Sequence, residues 1–217
     1  MGNILRRYGI QPAPKRSQNT TWKDFIASHM AVLAGTDFFT VEELTWRGLA
    51  TYYVLFFIQL ESRRISLAGL TKHPTAEWMI QMARNATDEG SGFLRGMHYF
   101  LHDRDTKFCT AFLDVLRSSG MQPLALPPRS PNLNAFAERC VNSVRQECLS
   151  KLILFGGASL RRALTEYIEH HHFERNHQGK DNLLLFPSPD VPLSPKSRLV
   201  RCHDRLGGLL KFYSRVA

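Results

Sequence analysis

Asp37, Asp103 and Glu138 are the residues of this chain best suited to chemistry. Asp37 ends the apolar run AVLAGTD, Asp103 follows MHYFLH, and Glu138 sits in SPNLNAFAERC on what reads as a partly buried helix. A carboxylate placed against apolar sequence is costly to desolvate unless a cation meets it. The rest of the chain is basic, with 28 Lys and Arg against 19 Asp and Glu and a formal charge of +9. Together these features point to divalent-metal chemistry on a phosphodiester. Two Mg²⁺ or Mn²⁺ ions, roughly 3.5–4 Å apart, can activate an attacking oxygen and stabilise a leaving one. Such hard ions take oxygen ligands. Asp37 would bridge the pair, with Asp103 and Glu138 each completing one side. Asn134 lies one helical turn before Glu138, on the same face, where it could orient a loop or a substrate phosphate.

Each acid also has a plainer reading. Asp37 could simply end a strand in a turn. Asp103 competes with Asp105 in HDRD, where either could pair with Arg104 or Lys107. Glu138 beside Arg139 could be an ordinary solvated helix face.

Positioning these groups requires a mixed α/β domain. A helix is expected over residues 21–29, then a strand near residues 30–39 followed by a turn or short insert at TVEELTWRG. Residues 49–59 and 63–70 are rich in β-branched and aromatic residues, and make a three-strand antiparallel meander with the first strand. Helical spacing of Trp78, Met79, Met82 and Ala83 predicts a helix over residues 75–85, with Thr75 as its cap. Short strands are expected at residues 97–102 and 121–126, around a helix at residues 108–118. Helices over residues 135–149 and 159–173 follow, the first capped by Asn134 or Asn132. The strands carrying Asp37 and Asp103 could lie side by side, with crossover helices on both faces.

The expected organisation is a basic N-terminal appendage over residues 1–21, a core over 22–184, and a Pro/Ser linker with a basic tail over 185–217. The tail reads equally as a small binding extension or as a frayed solvated end. Positive charge favours nucleic acid first and an anionic membrane surface second. The N-terminus lacks a signal-peptide core, and residues 49–60 are too short to span a bilayer as a helix, so a cytoplasmic protein is expected. Cys109, Cys140, Cys148 and Cys202 show no metal-type spacing and read as free thiols. The His170–His172 run reads as a helix end satisfied by backbone and water rather than as a metal site.

The segments GTDFF, HDRDTKF and SPNLNAFAERCVNSVRQECL resemble the catalytic core of retroviral-type integrases and bacterial insertion-sequence transposases. EYIEHHHFERNHQGK looks like the segment that closes that core, and the resemblance spans about residues 22–185. It implies a ribonuclease-H-like mixed sheet of about five strands with helices on both faces. It also implies Asp37, Asp103 and Glu138 as catalytic ligands to Mg²⁺ or Mn²⁺, most simply as two ions. Between Asp103 and Glu138 lie 34 residues, close to the family spacing, whereas Asp105 would leave 32. Gly is usual where Asp105 stands.

The implied activity is DNA strand transfer: DNA integration, recombination or transposition by a mobile element. The implied partners are element ends and target DNA, a second copy of the chain, and no membrane. Alternatives are a catalytically silent DNA-binding remnant, or a nuclease of the same fold. Arg139 would support the site, while Arg145, Lys151, Arg161 and Arg162 would contact phosphates. NILRRYGIQPAPKR resembles only the tail of a preceding DNA-binding region, so a separately encoded recognition subunit is a further expected partner.

Overall fold

The computed structural model describes residues 21–127, 134–187 and 200–215. The expected N-terminal helical piece, residues 128–133 of the PPRSPNLN loop and most of the Pro/Ser linker lie outside them. The chain divides into two compact units, residues 1–30 and 31–217. In the first, helix α1 (Trp22–His29) is capped by Thr21, whose hydroxyl accepts from the Asp24 amide. Trp22 stacks on Phe25, and Phe25 on His29.

The second unit is built on a five-stranded sheet. Its strands are β1 (Leu33–Thr45), β2 (Gly48–Gln59), β3 (Ile65–Thr71), β4 (Tyr99–His102) and β5 (Gln122–Ala125), in the order β3-β2-β1-β4-β5. β1, β2 and β3 form the expected antiparallel meander, and β4 and β5 join β1 in parallel. The parallel strands need crossovers, supplied by α2 (Ala76–Thr87) and α3 (Thr110–Ser118). Thr75 caps α2 as expected, its hydroxyl accepting from the Trp78 amide.

Alternation along β1 decides what each face holds. Ala34, with Leu55, Phe57 and Phe100, packs against Met79 and Ala83 of α2 and Phe112 and Leu116 of α3, all nearly solvent-free. The opposite set, Gly35, Asp37 and Phe39, faces the other layer. That layer consists of α4 (Ala135–Glu147) and α5 (Gly156–Phe173). This is the ribonuclease-H-like mixed sheet with helices on both faces that the sequence led us to expect.

Three expectations change. TVEELTWRG is no insert: β1 runs unbroken to Thr45, pairs with β2 along its whole length and turns only at Trp46–Arg47. The basic tail is not frayed, because Val200–Arg205 (β6) and Leu210–Arg215 (β7) form an antiparallel hairpin. Arg205 fastens it to α5 and its C-cap through ion pairs with Glu166 at 2.9 Å and Glu174 at 2.8 Å. The histidine run is not a solvated helix end: His170, His171 and His172 are all buried in α5. The Ile65 amide donates to His172 Nε2 at 2.9 Å, and His170 pairs with Glu174 at 3.0 Å.

The approach of α2 to β3 depends on Gly69. A Cβ there would meet Met82 Sδ at 2.5 Å and the Trp78 ring at 2.6 Å. Gly69→Ala is expected to lower unfolding free energy by about 1–3 kcal/mol, read by thermal or denaturant unfolding.

Candidate active site

Asp37 stands within β1, not at its end, and its side chain faces α4. The Phe38 amide donates to its Oδ1 at 2.8 Å, which holds the carboxylate in one orientation. β1 and β4 pair in parallel with Gly35 opposite Leu101. Extending that register by two residues brings Asp103, just past the end of β4, beside Asp37. Alternation sends both to the α4 face, while Phe100 and His102 turn to the other, where the His102 ring packs on Phe108.

Glu138 comes from the first turn of α4. Asn134, at the N-cap position, makes no side-chain cap bond within its helix. Its Nδ2 instead donates to the Thr36 carbonyl at 3.3 Å, tying the start of α4 to the strand residue before Asp37.

The electrostatics bring the three acids together. Burial raises the Asp37 carboxyl from its ordinary 3.8 to about 6, and the Asp103 and Glu138 charges push in the same direction. The Phe38 amide and Arg145 oppose them. A half-buried acid flanked by two like charges gives an oxygen-rich, electron-rich donor set that suits a hard divalent cation. Among the described residues, no three Asp, Glu, His or Cys side chains stand close enough together to hold a metal ion as they are.

Asp103 and Asp105 differ in their partners. Asp105 is engaged by Lys107, through its Nζ at 2.6 Å and its amide at 2.9 Å. Lys107 is itself held over the Phe38 and Tyr53 rings, at 5.4 Å from each. Asp103 Oδ1 accepts only the Asp105 amide, at 3.0 Å, among the bonds described for it.

Of the expected basic residues, Arg145 is the one whose charge acts on Asp37. Its guanidinium sits 5.8 Å from the Phe39 ring centre. Lys151, Arg161 and Arg162 are solvent-exposed, beyond the end of α4 and on the first half of α5. Arg139 turns elsewhere: it lies over the Phe136 ring at 5.5 Å, and its charge acts on Arg63. Sequence reading offered Lys107 as a partner for either aspartate, and the pairing falls to Asp105. It passed over Arg63 as Arg139's neighbour, for which the chain carries no local signal.

Residues 119–183 match the integrase core domain family, a span that includes Glu138 but neither Asp37 nor Asp103. No curated protein matches the chain. Among solved structures it is similar to a chain in the simian T-cell lymphotropic virus intasome in complex with PP2A regulatory subunit B56 gamma. There the TM-score is 0.52 at 14% identity, over 85% of this chain and 67% of that one. It is also similar to the HTLV-2 integrase catalytic core domain in complex with magnesium in its dimeric form, with a TM-score of 0.49 at 12% identity over 65% and 86%. For the BIV integrase catalytic core domain the values are 0.46 and 11%, over 65% and 84%. No helix among the described residues is long and apolar enough to cross a membrane.

Proposed function

We propose that this chain, built on an integrase-type, ribonuclease-H-like core, catalyses divalent-metal-dependent DNA strand transfer. The observation that carries this reading is the approach of Asp37 on β1, Asp103 just past β4 and Glu138 on α4, with the Asp37 carboxyl lifted first by burial and then by its two acidic neighbours. Those three side chains would hold Mg²⁺ or Mn²⁺, most simply as two ions. When bound, the metal supplies Lewis-acid stabilisation of charge on the phosphodiester oxygens.

The chain's own residues do the rest. Asn134 fixes the distance of α4 from β1, and so the reach of Glu138 toward Asp37. Lys107 keeps the Asp105 carboxylate out of the ligand set. Arg145 lies beside the acids and, with Lys151, Arg161 and Arg162, offers donors to the DNA backbone phosphates, which makes affinity salt-dependent. The substrates in this reading are element ends and target DNA. Joining two ends requires both to be held at once, so the active form is a homo-oligomer.

The experiment is cleavage and joining of a short labelled duplex carrying an element end, with Mg²⁺, with Mn²⁺ and with chelator. Metal-dependent joining supports strand transfer, metal-dependent cutting alone supports a nuclease, and DNA binding without either supports a silent remnant. Asp105→Asn is expected to keep joining within about threefold of the parent, because Asp105 is spent on Lys107. A loss as deep as that of Asp103→Asn would reverse the assignment of the two aspartates.

A further inference from the structure

The side of α4 that carries Arg139 borders a small cavity. It holds about 90 Å³ between α4, the turn joining β2 to β3, and the C-terminal end of α5. That is room for several water-sized groups. Arg63, Phe136, Arg139, His171, Arg175 and His177 line it, and none of its lining residues is acidic among those described.

The cations here are poorly compensated. Arg63 and Arg139 both lie over the Phe136 ring, each 5.5 Å from its centre. Burial, and then the charge of Arg139, weakens the hold of Arg63 on its proton. Neither arginine makes an ion pair among the described residues, and Arg63 reaches only the Gly179 carbonyl, at 3.5 Å. Arg175, by contrast, is paired with Glu147 at 2.5 Å.

Two further observations mark the cavity. His171 is 7% exposed, and its Nδ1 has no hydrogen-bond partner. Burial first, then His177 and Arg175, press its pKa down to about 2, so the ring is neutral in a positive field. Arg63 also occupies a left-handed backbone position, φ +59°, where glycine is favoured. A long cation is kept at a place where the backbone prefers no side chain.

We propose that this cavity is a phosphate-class oxyanion site, gripped by the Arg63 and Arg139 guanidinium groups with the His171 ring nitrogen as a third contact. A tetrahedral anion matches the forked donors of two arginines and satisfies the orphaned imidazole nitrogen. The anion could be a nucleic-acid backbone phosphate or a free phosphate group. None of the three carboxylates lines the cavity, although the Asp37 charge acts on Cys140 of its wall.

The test titrates inorganic phosphate into the full chain and follows the His171 ring resonances by NMR. Phosphate should shift those resonances and raise the His171 pKa, since an adjacent anion favours the imidazolium. Arg63→Gly and Arg139→Gln should each weaken phosphate roughly tenfold or more. Arg63→Gly should not lower the melting temperature, because glycine suits that φ; Arg139→Gln changes only an exposed helical position. A second arm measures a short DNA duplex by anisotropy at fixed salt. Weaker duplex binding in both variants, with phosphate competing in the parent, identifies a backbone phosphate as the ligand. Unchanged duplex binding with lost phosphate binding identifies a free phosphate group. No phosphate-dependent shift in the parent, or equal phosphate affinity in both folded variants, would overturn the proposal.

Discussion

Asp37→Asn, Asp103→Asn and Glu138→Gln, each made singly, should reduce metal-dependent cleavage and joining by about a thousandfold or more. That follows from losing several kcal/mol of transition-state stabilisation when one ligand of the set is neutralised. DNA binding should persist, because the exposed cations Arg145, Lys151, Arg161 and Arg162 are untouched. Asp37→Asn should cost no stability and should raise it near neutral pH. The carboxyl it replaces is half-buried beside two acids and is easier to bury uncharged. Gel assays of strand products, with binding and melting temperature measured in parallel, separate a chemical role from a structural one. Joining retained in any of the three folded variants would remove that residue from the site.

The second large effect is a metal- and pH-dependent change in stability that passes through Asp37. Its folded-state pKa of about 6 lies above its ordinary 3.8, so the folded protein holds this proton more tightly than the unfolded chain does. The stabilisation from Asp37 is therefore fully present below about pH 4 and is lost as pH rises through about 6, to a total of about 2–3 kcal/mol. His171 and His172, held neutral by burial, act with the opposite sign as pH falls below their ordinary 6.5, a range that overlaps that of Asp37. The signature is therefore the difference between the parent and Asp37→Asn, which should widen in favour of the variant between about pH 4 and 7. Mg²⁺ should recover the parent's loss at neutral pH, because it binds the ionised carboxylates of the folded chain alone. It should do little below about pH 5 or in Asp37→Asn. Melting curves across pH, with Mg²⁺ and with chelator, read both; identical curves for parent and variant would show that Asp37 feels no such pressure.

How much of this was legible from residues varies by element. The strands at the sheet centre announced themselves through their β-branched and aromatic runs, and α2 through helical spacing behind a threonine cap. The far half of β1 did not. There and in the turn that follows the alternation is inverted at three positions: Glu43 is fully buried while Leu44 is 42% exposed and Trp46 wholly so. A pattern reader sees a polar insert; the fold accepts the acid inside, within reach of the Lys72 charge. The histidine run misled for a similar reason. One of its rings serves as acceptor for a strand amide 107 residues away, a relation no local pattern records.

The sequence by itself determined which groups were available. Three carboxylates fell against apolar segments in a basic chain, and local spacing placed one of them on a helix with Asn134 a turn before it. Strand and helix types followed from periodicity, which depends only on neighbours along the chain. Tertiary structure decided everything that depends on distance between remote segments. The parallel register of β1 and β4 sets Asp37 beside Asp103. The Asn134 bond to the Thr36 carbonyl sets how closely α4 approaches, and Lys107 withdraws Asp105. Arg205 of the basic tail is spent on Glu166 of α5 and on Glu174 just past its end. Arg63 and Arg139, 76 positions apart, meet over one aromatic ring. Charge and burial act through space, so a residue's partners, and with them its chemistry, appear only once the chain has folded.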